Sequence, residues 1–63
     1  MTLNPHMHTL TVITREEGPK WMQFVSFEAA ELAFNSERKK DENVAVFLHN
    51  RQGELERTDA PNV

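Results

Sequence analysis

The sequence predicts an α+β domain of order strand-strand-helix-strand-strand: a single, mostly antiparallel four-stranded sheet with one helix packed on one face. Three observations carry that prediction. Residues 7–25 and 44–58 each hold two β-rich runs around a Gly-containing break, and residues 27–42 between them show helical spacing with alanine on one side. Sixty-three residues allow one domain, 1–63, with a thin core, because so short a chain buries only about 60% of the surface its unfolded form exposes. The expected ordered core is about 7–58, with tails at 1–6 and 59–63. There is no cysteine, so disulfides and thiolate zinc sites cannot compensate for the thin core. Good packing or self-association must do so instead.

The run from Met7 to Arg15 is rich in Thr, Val, Ile and Leu, residues that suit a pleated strand. Glu16-Glu17-Gly18-Pro19 breaks it, since Gly18 can take positive φ and Pro19 cannot donate a ladder hydrogen bond. Lys20 to Val25, with Trp21, Met22 and Phe24, supplies the return strand. Ser26 is an N-cap candidate, and Glu28 and Glu31 lie where the helix dipole favours negative charge. Stepping 100° per residue gathers Phe27, Ala29, Ala30, Ala33 and Phe34 on one face, opposite Glu28, Glu31, Asn35, Arg38 and Lys39. Arg38, Lys39 and Lys40 suit the negative end of the dipole, and Asn43 can take the left-handed conformation that stops a helix.

Val44 to Leu48 is a continuous apolar strand, Asn50 to Gly53 a tight turn with Gly53 left-handed beside a bulge, and Glu54 to Thr58 a charged edge strand. Of the two strand orders open to this topology, 2-1-3-4 is preferred over 1-2-3-4. It makes every neighbour antiparallel and centres the two most β-rich runs.

The residues Trp21, Glu28-Ala29-Ala30, Ala33 and Val46-Phe47-Leu48-His49-Asn50-Arg51-Gln52-Gly53-Glu54-Leu55 together resemble small bacterial domains grouped as a family of unknown function. That family shows a Trp-bearing strand pair, an Ala- and Glu-rich helix, and an apolar strand ending in His before a Gly turn. The resemblance spans about residues 8–55 and implies the fold alone. The family usually carries an acidic residue where Gln52 stands here.

Little chemistry is on offer. His6 and His8 would share a face of a strand and could hold a metal only with a third ligand, which is not evident, so neither metal nor cofactor is expected. His49 ends a strand at a turn and has no nucleophile or carboxylate partner in view. Glu16-Glu17, Asp41-Glu42 and Glu54-Glu56 fall in a turn, a helix end and an edge strand, open to water and without the burial that a catalytic carboxylate pair needs. A chain of this length rarely encloses a ligand pocket of ~300 Å³ or more. A non-enzymatic protein with no small-molecule substrate is the expectation.

Net charge is −3, and it is spread evenly: residues 1–36 carry two cations against four anions, the remainder five against six. Neither half is a footprint for nucleic acid. Arg38, Lys39, Lys40 and Arg51 are the candidate nucleic-acid contacts, but the dipole explains the first three, and Asp41 and Glu42 follow them at once. The absence of cysteine, of a signal-like start and of ~20 apolar residues in a row points to a cytoplasmic chain with no membrane partner.

Surplus apolar surface is the stronger signal. The first three strands carry apolar residues at both parities, and one helix covers one face. The other face, expected to hold Trp21, Phe47, Ile13 and Val25, with Leu32 on the outer side of the helix, reads as a partner-binding surface. The partner would be another protein or a second copy. A small acidic domain of this kind is in the style of phage or mobile-element inhibitors that occlude a host protein. The alternative is a homodimeric nucleic-acid-associated or regulatory protein.

Overall fold

The structure, a computed structural model, describes residues 6–60. Its elements are β1 (His8–Thr14), β2 (Gly18–Phe24), α1 (Phe27–Glu37), β3 (Asn43–His49) and β4 (Leu55–Asp59). The four strands form one sheet in the order β2-β1-β3-β4, antiparallel throughout. This is the ββαββ fold, and the preferred strand order, that the sequence predicts.

The alternation of side chains along β1 decides which face α1 covers. Leu10 and Val12 point to the helix, paired with Met22 and Lys20 on β2 and with Leu48 and Val46 on β3. Leu10, Val12, Val46 and Leu48 are almost completely buried and meet Ala30 and Phe34 of α1, with Met22, Phe24, Phe27 and Ala33 packed around them. Each such aliphatic side chain contributes about 1.5–3 kcal/mol by leaving water. Ala30 presents only a methyl group, so the axis comes close to the sheet while Phe27 and Phe34 fill its flanks.

Local chemistry sets the turns. The Thr14 hydroxyl accepts from the Glu17 amide at 3.0 Å and donates to the Gly18 carbonyl at 3.1 Å, closing the first hairpin, while Gly18 takes φ +77°. At the second turn Asn50 Oδ1 accepts from the amides of Gln52 and Glu54, both at 2.9 Å, and Gly53 sits at φ +83°. A bulge lies between Leu48 and His49, beside that turn as expected. Ser26 caps α1, its hydroxyl accepting from the Ala29 amide at 3.2 Å.

Several boundaries differ from the sequence reading. β2 starts at Gly18, two residues early, and Pro19 pairs opposite Ile13. It is tolerated there because β2 is an edge strand. α1 ends at Glu37 and not near Glu42, leaving no cation in its last turn. Asn43 is not left-handed, since no described residue except glycine has positive φ. It stops the helix with its side chain, Nδ2 donating to the Glu37 carbonyl at 2.8 Å and to Glu37 Oε1 at 3.1 Å. Ala29 is exposed, whereas Glu31, placed on the outer face, is half-buried. The covered stripe is thus rotated toward β4. Asp59 belongs to β4, not to a tail, and pairs with Val46. The other predicted tail residues, 1–5 and 61–63, lie outside the described residues, and His6 is exposed.

Candidate functional site

Strand register lays out the sheet face that α1 does not cover. Its middle row runs Trp21, Thr11, Phe47, Thr58 across β2, β1, β3 and β4. One neighbouring row is Gln23, Thr9, His49, Leu55, and the other is Pro19, Ile13, Ala45. Trp21 is 45% exposed, Phe47 and Ile13 are partly exposed, and Ala45 is buried. Trp21 and Phe47 flank Thr11, so their backbones stand roughly 10 Å apart, two strand spacings. The Gln23 amide donates to the Thr9 hydroxyl at 3.2 Å, satisfying both within the face.

The charge distribution separates the two faces. Lys20, Arg57 and Asp59 rim the helix side of the sheet, whereas none of the three rows above contains Asp, Glu, Lys or Arg. More than a quarter of the chain is charged, 27%, so three rows without one such residue differ from the rest of the surface; Glu56, in the β4 bulge beside Leu55 and held by Asn50 Nδ2 at 3.1 Å, is the charge at their edge. Low charge with a central Trp and Phe is the composition of an interface core.

Three of the five predicted partner-binding residues, Trp21, Phe47 and Ile13, therefore share one face. Val25, 69% exposed, lies just past β2 in the link to α1, at the edge of this surface. Leu32, 73% exposed, is on the outer side of α1 and belongs to a different surface.

The four candidate nucleic-acid contacts do not converge. Arg38 lies 3.9 Å from Asp59, and Lys40 pairs with Glu37 at 2.9 Å, both at the C-terminal end of α1. Arg51 is at the opposite end, its guanidinium donating to the Val25 carbonyl at 2.9 Å. That bond ties the second hairpin turn to the β2–α1 link across 26 residues of sequence, which no local pattern announces. Arg57 was equally illegible. It reaches from β4 to Glu31 at 3.2 Å and sits 5.6 Å from the centre of the Phe27 ring, a cation–π contact that locks β4 to the helix.

An open cleft of about 740 Å³ lies between the first hairpin turn and the C-terminal end of α1, with Val12 and Met22 on its floor. Its walls carry Glu16, Glu17, Glu37, Asp41 and Glu42 against Arg15, Lys20 and Lys40. Glu17 and Lys20 pair at 2.8 Å, which lowers the pKa of the carboxyl and raises that of the ammonium. The hydrogen bond from Lys40 lowers that of Glu37, assisted by Asn43 and opposed by partial burial. These two pairs tie up four of the eight charges, and Arg15, Glu16, Asp41 and Glu42 lie outside them. Among the described residues no three His, Asp or Glu gather as a metal site requires. His6 is exposed, whereas the His8 ring packs edge-on against Phe27 at 5.8 Å.

No described helix is long and apolar enough to cross a membrane. The chain matches no family model, no curated protein and no solved structure, so its functional reading rests on its own residues.

Proposed function

We propose that this chain is a non-catalytic protein-interaction module whose working surface is the uncovered sheet face. One observation carries the reading: Trp21, Thr11 and Phe47 stand in register across three strands in a row free of Asp, Glu, Lys and Arg. Exposing a Trp is costly, and aromatic residues dominate the energetics of protein contacts. A stacking platform for single-stranded nucleic acid would also present aromatics, but it needs cations beside them to follow the backbone. Here the cations lie on the helix side or at the two ends of the molecule. Action by occlusion, as in a phage or mobile-element inhibitor of a host protein, is one way such a surface works.

The test compares wild type with Trp21→Ala and Thr11→Lys in capture from a lysate of the source organism, with circular dichroism confirming that each variant is folded. Both variants should lose the captured protein or self-association that wild type shows. Retention of every contact by both folded variants would remove the face from consideration.

A further inference from the structure

We infer that the occupant of the uncovered face is a second copy of the chain, docked about a two-fold axis that runs parallel to the strands between β1 and β3. The inference rests on the reading of that face as a contact surface and adds the identity and geometry of the partner.

Such an axis lays β1 over β3 of the second copy and β2 over its β4, keeping strands nearly aligned as packed sheets require. In the middle row, Trp21 then meets Thr58 of the second copy, and Phe47 meets its Thr11. In the row toward the first hairpin turn, Ile13 meets Ala45; in the row beyond, His49 meets Thr9 and Gln23 meets Leu55. In four of these five pairs a large side chain faces a small one. This is the alternation by which two sheets interdigitate about 10 Å apart. The other two-fold axis in the interface plane, running across the strands, stacks Trp21 on Trp21 and Phe47 on Phe47 while Thr11 faces Thr11. In that central row bulk would meet bulk and small would meet small, while the outer rows would pair Ile13 with Thr9 and His49 with Ala45, so it is the Trp21–Thr11–Phe47 row that selects the first axis.

Charge and area agree with this occupant. No Asp, Glu, Lys or Arg lies in its three rows, and Glu56, at the β4 bulge, falls over β2 of the second copy and not over another Glu56, so the face meets its own copy without like-charge repulsion. Four strands ~4.8 Å apart and about six residues long give a flat face on the order of 400 Å². Two corrugated faces of that size bury on the order of 1,000 Å² together, the lower limit for a specific interface, so the dimer should be reversible in the micromolar range.

The experiment combines mass and cross-linking. Light scattering on the wild-type chain at about 100 µM should return twice the 7.3 kDa of one chain, and folded Thr11→Lys should return one. Because the chain has no cysteine, single-cysteine variants report the axis without reference to fold stability. Chains carrying only Gln23→Cys, mixed with chains carrying only Leu55→Cys and treated with a short bismaleimide, should form a linked heterodimer well above the yield of either alone, because this axis sets the two positions about 10 Å apart across the interface and like positions about 17 Å apart. Equal yields from the separate and mixed samples overturn this axis, and a monomer at about 100 µM overturns the second copy altogether. In that last case, loss of a captured protein by Trp21→Ala keeps the face as a contact surface. Its retention ends that reading too.

Discussion

At Gly53 the backbone sits at φ +83°, and no atom lies within 4 Å of where a Cβ would stand. The position is open in space yet closed in conformation, so Gly53→Ala should cost about 1 kcal/mol through backbone strain alone. Urea titration measures it; a loss below about 0.3 kcal/mol would mean the turn relaxes to another conformation. His8 poses the opposite case. Its Nδ1 is buried without a hydrogen-bond partner among the described residues, while its ring packs on Phe27. His8→Phe keeps the aromatic contact and removes the orphaned atom, so stability should hold or rise by up to about 1 kcal/mol. A loss greater than about 1 kcal/mol in the same titration would show that the nitrogen is satisfied after all. Gly53 was legible because positive φ selects glycine at the residue level. The burial of His8 was not, because it depends on where Phe27 lands, 19 positions away.

The C-terminal end of α1 shows where local reasoning stops at the scale of an element. Helical propensity and charge would carry the helix through Lys40 to Glu42, and nothing within 38–42 forbids it. The sheet does. β3 must begin opposite Thr14, so the helix has only the length of a seven-residue strand, roughly 20 Å, in which to run back, and eleven residues at 1.5 Å use most of it. Asn43 then fixes the end by donating to the carbonyl and carboxylate of Glu37. Asn43→Ala should therefore cost about 1–2 kcal/mol, against less than about 0.5 for the exposed Leu32→Lys on the same helix. Thermal or urea melts of the two variants check the contrast, and equal costs would sink this account of the helix end. Glu37 adds a pH dependence. Its folded-state pKa lies below its unfolded value, chiefly through the hydrogen bond from Lys40, so its contribution is fully present above the ordinary glutamate range. That contribution is lost as pH falls through the folded value. Glu37→Gln should destabilise the chain by less than about 1 kcal/mol at pH 7, and the difference should vanish near pH 2 in urea titrations at both pH values.

For the whole molecule, the strand order followed from chain geometry, and the uncovered face followed from apolar residues at both parities of three strands. The ties that close the molecule did not: Arg51 to Val25, and Arg57 to Glu31 and Phe27, join residues far apart in sequence through ordinary surface arginines. A thin core of four buried aliphatic side chains and two helix residues, with the aromatic face opposite left open, makes stability and association one question. If a second copy covers Trp21 and Phe47, unfolding separates two chains, and the midpoint must depend on concentration by mass action. Each tenfold dilution then removes about 0.7 kcal/mol per chain, which for a domain of this size lowers Tm by about 3–5 °C. Thermal melts of wild type at about 100 and 10 µM should show that shift. Thr11→Lys, which places a charge at the centre of the face while leaving the helix side untouched, should melt lower at the higher concentration and show no shift on dilution. A wild-type midpoint that stays fixed across that range would mean the fold stands alone, and that its uncovered face contributes nothing to holding it together.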